Sequence, residues 1–396
     1  MLTSAALLVA GVLASGGAAA PLRVDPPARP GSMAPNLALD GDAVILSWLE
    51  PAHAGVKPQD GNYALRMSRL VSGRWSEPST IAAGKDFFAN WADFPSVTSA
   101  GGGLLVAHWA AMSAADPNAY DVRLARSIDS GRTWIPMGTA NDDRTPTEHG
   151  FVSAVPERNG VRLFWLDGRD TASGRGSMGL RTAHIGDRIE ASELLDSRVC
   201  DCCQTAAAAT SGGPVVVYRD RTANEVRDTA IIRRGERGWT QPRDVGTDGW
   251  EIEGCPVNGP AVAARDRRVA VGWFTQAGNR PRVKVAFSND AGASFSTPAV
   301  VDSDLPLGRV GIVLDENGDA LITWVAAEGK AAAIRLARVT ARGRRGAPIE
   351  IAGAEMSRAG GFPRLARSGS TLVVTWVESG EPSRIRAATL PASRVP

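Results

Sequence analysis

One block recurs seven times along this chain, a short apolar run that ends in an aromatic ring. It reads Ala43-Val-Ile-Leu-Ser-Trp48, Leu104-Leu-Val-Ala-His-Trp109, Val161-Arg-Leu-Phe-Trp165 and Val215-Val-Val-Tyr218 in the first half. It returns as Val269-Ala-Val-Gly-Trp273, Ala320-Leu-Ile-Thr-Trp324 and Leu372-Val-Val-Thr-Trp376. Successive aromatics stand 61, 56, 53, 55, 51 and 52 residues apart. A period near 50 is too long for one hairpin and fits a four-stranded blade that buries its faces only against its neighbours.

The flanks of the block repeat too. A small-residue strand precedes it, as in Pro35-Asn-Leu-Ala-Leu, Pro95-Ser-Val-Thr-Ser or Pro260-Ala-Val-Ala-Ala, and a tight turn such as Asp40-Gly41 or Asn317-Gly318 follows that strand. Small side chains suit strands crowded around an axis, and the turns mark hairpins. A third strand with alternating pattern comes after the block, as in Val122-Arg-Leu-Ala-Arg126 or Ile334-Arg-Leu-Ala-Arg338, and then a weaker fourth. The seventh copy stops after Ile385-Arg-Ala-Ala-Thr389. The expected fold is therefore an all-β, seven-bladed β-propeller over residues 21–396, closed by the N-terminal segment from Leu22 to Asp25, since closure removes open edges. The competing count is six blades with one copy outside the ring.

Composition narrows the class. With 44 basic and 42 acidic residues spread evenly, the chain has no nucleic-acid footprint. Residues 1–20 read as a signal peptide: Ala5 to Val12 is too short an apolar stretch for a span, and Gly16 to Ala20 supply small residues for cleavage. A secreted or periplasmic monomer without a membrane span is expected, in a compartment where cysteines can oxidise.

Two turns carry a further motif. Ser127-Ile-Asp129-Ser-Gly131-Arg-Thr133-Trp134 fits the pattern S-x-D-x-G-x-T-W, and Ser288-Asn-Asp290-Ala-Gly292-Ala-Ser294-Phe295 is a looser copy. With the repeats, the chain resembles the sialidase-like superfamily of Asp-box (BNR-repeat) propellers. That resemblance implies an axial ligand site, and for true sialidases three arginines, a tyrosine nucleophile paired with glutamate, and an aspartate acid/base. This chain departs from the set. It has no Arg-Ile-Pro-like tripeptide and no tyrosine after Tyr218. The arginines that could serve an axial clamp are Arg169, Arg219, Arg221, Arg309 and Arg358.

In a propeller, loops entering the innermost strands and loops leaving the second strands share one face. That face should present Trp91, Asp93, Glu148, His149, Trp250, Glu253 and Asn258, with His53 and Asp116 on leaving loops. Trp91 and Trp250 could stack on a sugar, and Asp93, Glu148 and Glu253 could supply an acid/base pair. All four cysteines fall in the entering loops of neighbouring repeats: Cys200, Cys202 and Cys203 in one, Cys255 in the next. Two disulfides, with three possible connectivities, are one reading. A thiolate site for copper or zinc, with His149 or Met356 as further ligands, is another, and a reactive thiol is a third. Three functions remain open on the sequence. The chain is an exported propeller holding a small molecule, glycan or soft metal near the cysteine loops, an exo-glycosidase of sialidase type, or a protein-interaction scaffold.

Overall fold

The computed structural model describes residues 20–174, 176–357 and 362–396. The expected signal peptide, apart from Ala20, and the expected ligand residue Arg358 lie outside them. Seven antiparallel sheets stand in a ring, each of four or five strands, so the count of seven holds and the six-bladed alternative does not. No helix among the described residues is long and apolar enough to cross a membrane.

Each recurrent apolar run is the second strand of its blade. Ala43–Pro51, Gly160–Asp167 and Ala320–Glu328 are buried almost throughout, because blades pack on both of their faces. The closing aromatics Trp48, Trp165, Tyr218, Trp273 and Trp324 are wholly buried, whereas Trp109 is half-buried and stacks on Phe87. Their polar tips are satisfied by a recurring device. Tyr218 Oη, Trp273 Nε1 and Trp324 Nε1 donate to Asp196 (2.6 Å), Asp248 (2.7 Å) and Asp302 (2.6 Å). Each of these carboxylates lies in or just beyond the outer strand of the preceding blade, so the bond ties one blade to the next.

The innermost strands, such as Ala206–Thr210 and Ala261–Arg265, are only half-buried because they line the axis. Between them runs a cavity of about 500 Å³, walled by Asn36, Asp93, Thr98, His108, Ser153 and Arg364 among others. Leu22–Arg23 pairs antiparallel with Arg384–Pro391 of the last blade, through Leu22↔Thr389 and Arg23↔Ala388.

The two Ser-x-Asp-x-Gly turns form matching hydrogen-bond cages. Asp129 Oδ1 accepts from the backbone N–H groups of Arg132 (3.0 Å) and Thr133 (2.9 Å), and Asp290 Oδ1 accepts from Ser294 N–H (2.9 Å). Gly131 and Gly292 adopt positive φ there, the backbone region that glycine enters without steric cost.

Candidate functional site

The loops that enter the innermost strands meet over the axis and close it. Ala34, Ala92, Phe94, Val257 and Phe362 form one apolar cluster, with Trp91, Phe151 and Cys202 packed on its rim. Ala34, Phe151 and Val257 reach it from positive φ values, costly for residues with a side chain and held here by the packing around them. Gln204 spans the same region, donating to the Ala92 carbonyl (2.7 Å) and accepting from Gly259 N–H (3.1 Å). A Cβ at Gly259 would collide with the Gln204 carbonyl, so only glycine lets the two cysteine-bearing loops approach this closely.

Beside this plug the cysteines gather. Val199 bridges to Asp220 and Cys200 N–H donates to the Arg219 carbonyl (3.0 Å), which pins the start of the Cys200–Cys203 turn to the neighbouring strand. Cys200 Sγ then lies 3.4 Å from Cys203 Sγ and 3.8 Å from Cys202 Sγ. All three sulfurs fall within 4.8 Å of one another, and Cys202, Cys255 and Asp201 form a second such group. Arg227, almost fully buried, donates through Nη1 to Cys200 Sγ (3.3 Å) and lies 3.5 Å from Asp201. Hydrogen bonds from the Cys202 and Cys203 thiols, helped by the nearby Arg219 cation, hold Cys200 well below the usual thiol range. Hydrogen bonds with Cys200 and Cys203, then burial, push Cys202 up, while burial and the bond with Cys200 push Cys203 up. Three sulfurs and a guanidinium thus share one buried pocket.

His149 is not part of this cluster. Its ring is wholly buried, with Nδ1 against the Tyr120 carbonyl (3.1 Å) and Nε2 3.2 Å from Asp143 and 3.8 Å from Asp167. Carboxylates on neighbouring strands and loops draw it inward, so its expected role as a fifth ligand is withdrawn. Arg169 is taken by the same group, gripping Asp167 with Nε (2.7 Å) and Nη2 (2.9 Å) and reaching Asp142 at 2.9 Å.

Most other residues expected at the ligand face are committed to structure. Arg219, 2 % exposed, donates to the carbonyls of Arg227 (2.6 Å), Asn258 (2.7 Å) and Phe274 (2.9 Å), and lies 4.7 Å over the Trp250 ring. Trp250 is itself core, edge-on to Phe274, and so offers no free sugar platform, whereas Trp91 is half-buried against Phe362. Asn258 Oδ1 accepts from Arg309 N–H (2.8 Å), while Arg309 Nη2 donates to the Ser357 carbonyl (2.7 Å) and its guanidinium packs on Phe362. Arg221 is paired with Glu225 (2.9 Å). A sequence cannot show that a guanidinium will turn inward to cap carbonyls.

Two carboxyls keep a chemical interest. Asp93 is buried and accepts from Phe151 N–H (2.9 Å); burial pushes it up to about 6, against the pull of that bond and of Arg364. Glu148 is raised to about 7 by burial, then by repulsion from Asp201, Asp93 and Asp116. Sequence reasoning missed Arg364, which faces the cavity with its guanidinium 3.8 Å over the Phe94 ring and its Nε without a hydrogen-bond partner. It missed Arg227 as well, since no motif surrounds that residue.

No protein-family model and no curated protein matches the chain. Solved structures do. A polysaccharide lyase of family PL25, an ulvan lyase bound to -[GlcA(1-4)Rha3S]-, is similar at 11 % identity and a TM-score of 0.57, over 96 % of this chain and 99 % of that one. A protein of unknown function from Dyadobacter fermentans is similar at 12 % identity and a TM-score of 0.54, over 94 % and 98 %. The GH93 α-L-arabinofuranosidase of Fusarium graminearum, solved with arabinobiose, is similar at 14 % identity and a TM-score of 0.50, over 95 % and 98 %. The fold is thus a seven-bladed propeller shared, nearly end to end, with structures whose sequences are very different.

Proposed function

We propose that this chain is an exported propeller of the sialidase-like superfamily whose task is to hold a thiophilic metal ion, copper(I), at Cys200, Cys202 and Cys203. The observation that carries the reading is the sulfur geometry. Metal–sulfur bonds of about 2.3 Å set three ligand sulfurs about 4.0 Å apart in a trigonal shell, so the 3.4 and 3.8 Å spacings at Cys200 need open by only a few tenths of an ångström. Soft thiolates select soft ions. Zinc in such sites takes four ligands, and here Arg227 sits against Cys200 while His149 is engaged elsewhere. A three-sulfur site beside a cation suits a singly charged ion that accepts three ligands. The matching Ser-x-Asp-x-Gly cages support the superfamily assignment.

Anaerobic titration of the reduced protein with copper(I) against a competing chelator, with metal counted by mass spectrometry, tests this. One copper(I) per chain is expected, lost in Cys200→Ser and Cys203→Ser. Cysteines that resist alkylation until reduced, in a protein that takes up no copper(I) after reduction, would favour the disulfide reading.

A second reading rests on Glu148 and Asp93. A glutamic acid held protonated to about 7 beside a second buried carboxyl is the raw material of glycoside cleavage, and structures named as glycan enzymes share the fold. Turnover of fluorogenic glycosides that falls in Glu148→Gln would support it. Activity unchanged in that variant would remove it.

A further inference from the structure

The four sulfurs do not share one shell. The set that closes within 4.8 Å around Cys255 is Asp201 and Cys202, whereas the buried set is Cys200, Cys202 and Cys203. Cys202 belongs to both. Accessibility follows the same order: Cys200 and Cys203 are each 1 % exposed, Cys202 is half-buried and Cys255 is exposed. Asp201 and Cys202 stand on the turn that holds the buried set, pinned to Arg219, and only Cys255 reaches across from the loop of residues 247–260.

Resting on the copper reading, we propose that Cys255 forms an outer receiving position. Copper(I) is passed through the shared Cys202 to the buried Cys200–Cys203 pair, and the partner in exchange is a soluble copper(I)–thiolate complex. A thiolate complex too bulky to reach sulfurs that are 1 % exposed can still meet Cys255 at the surface. Copper(I) keeps its oxidation state throughout. The bond between copper and the donor sulfur breaks as the bond to Cys255 Sγ forms, the donor leaves as thiolate, and the Cys255 proton passes to solvent. Cys202 ligates next and loses its own proton. The bond to Cys255 then breaks as bonds to Cys200 and Cys203 form, protons carried by those two sulfurs pass to solvent, and Cys255 takes one back. Cys202 holds the ion during the changeover, so no bare ion is released. Arg227, in contact with Cys200 and close to Asp201, offsets the negative charge at both stations.

The test is kinetic. Reduced protein is mixed anaerobically with the copper(I)–glutathione complex, and transfer back out is followed with bathocuproine disulfonate. Cys255→Ser is expected to bind one copper(I) with unchanged affinity but to load and unload about tenfold more slowly. Exchange at the wild-type rate would overturn the inference, because the ion would then reach the buried sulfurs directly. Loss of copper(I) at equilibrium in Cys255→Ser would overturn it too, by making Cys255 an ordinary ligand. Failure of the wild-type protein to bind copper(I) would instead overturn the underlying reading. Cys255 is exposed, so the variant should keep the wild-type melting temperature, which circular dichroism checks independently.

Discussion

Asp93 shows how one residue can report on the whole site. Its carboxyl is lifted from 3.8 to about 6 by burial, with the Phe151 and Phe94 amides and the Arg364 cation working against that rise. A raised folded-state value means the folded protein binds the proton more tightly than the unfolded chain does. The associated stability is fully present below about pH 4 and is lost as pH climbs through 6. A two-unit shift corresponds to about 3 kcal/mol. Asp93→Asn keeps an oxygen for the Phe151 amide and cannot ionise. It should therefore gain on the wild type between pH 4 and pH 6 in thermal unfolding and hold that gain at higher pH, whereas parallel melting curves would show that burial does not raise Asp93. At this scale the sequence was only partly legible. The cysteines stood out because all four fall in two adjacent loops, and those loops meet. The arginines and tryptophans of the same face misled, because composition cannot separate a guanidinium aimed at a ligand from Arg219 buried among carbonyls.

Strands were legible where their pattern was local. The apolar run ending in an aromatic located all seven second strands, since a strand buried on both faces must be apolar along its length. The fastening between blades was not seen, although its signal is present. An aspartate stands 22 to 25 residues ahead of Tyr218, Trp273 and Trp324, in or just past the outer strand of the blade before. Reading repeats as separate units hides a bond that only exists between them. Asp302→Ala should leave the Trp324 indole N–H buried without a partner, costing about 1–3 kcal/mol in urea unfolding. Trp324→Phe in the Asp302→Ala background should then add less than it does alone, because the bond is already lost and the substitution removes the unsatisfied indole donor. Strict additivity would mean that the indole–carboxylate bond contributes nothing to blade contact.

For the whole molecule the decisive element is a strand of two residues, Leu22–Arg23. The last blade contributes only the strands Arg364–Ser368, Thr371–Glu378 and Arg384–Pro391, so its outer edge would lie open without Leu22–Arg23. The clasp extends past the two paired residues. Val24 N–H donates to the Ala387 carbonyl (2.9 Å), Asp25 pairs with Arg386 (2.8 Å), and Trp75 of the first blade donates to the Val24 carbonyl (2.6 Å). The N-terminal segment therefore touches both blades that flank the ring's seam. Deleting residues 20–25 exposes the backbone of Arg384–Pro391, removes the Trp75 acceptor and strands Arg386 beside Glu378 alone. Two consequences should appear together. The melting temperature should fall, since ring stability depends on every blade having two neighbours. The truncated protein should also associate in a concentration-dependent way, because an open strand edge templates pairing with another chain. Calorimetry and light scattering on the truncated chain read both. A truncated protein that melts at the wild-type temperature and stays monodisperse would mean that the seam is held by blade packing alone, with the N-terminal strand only laid against it.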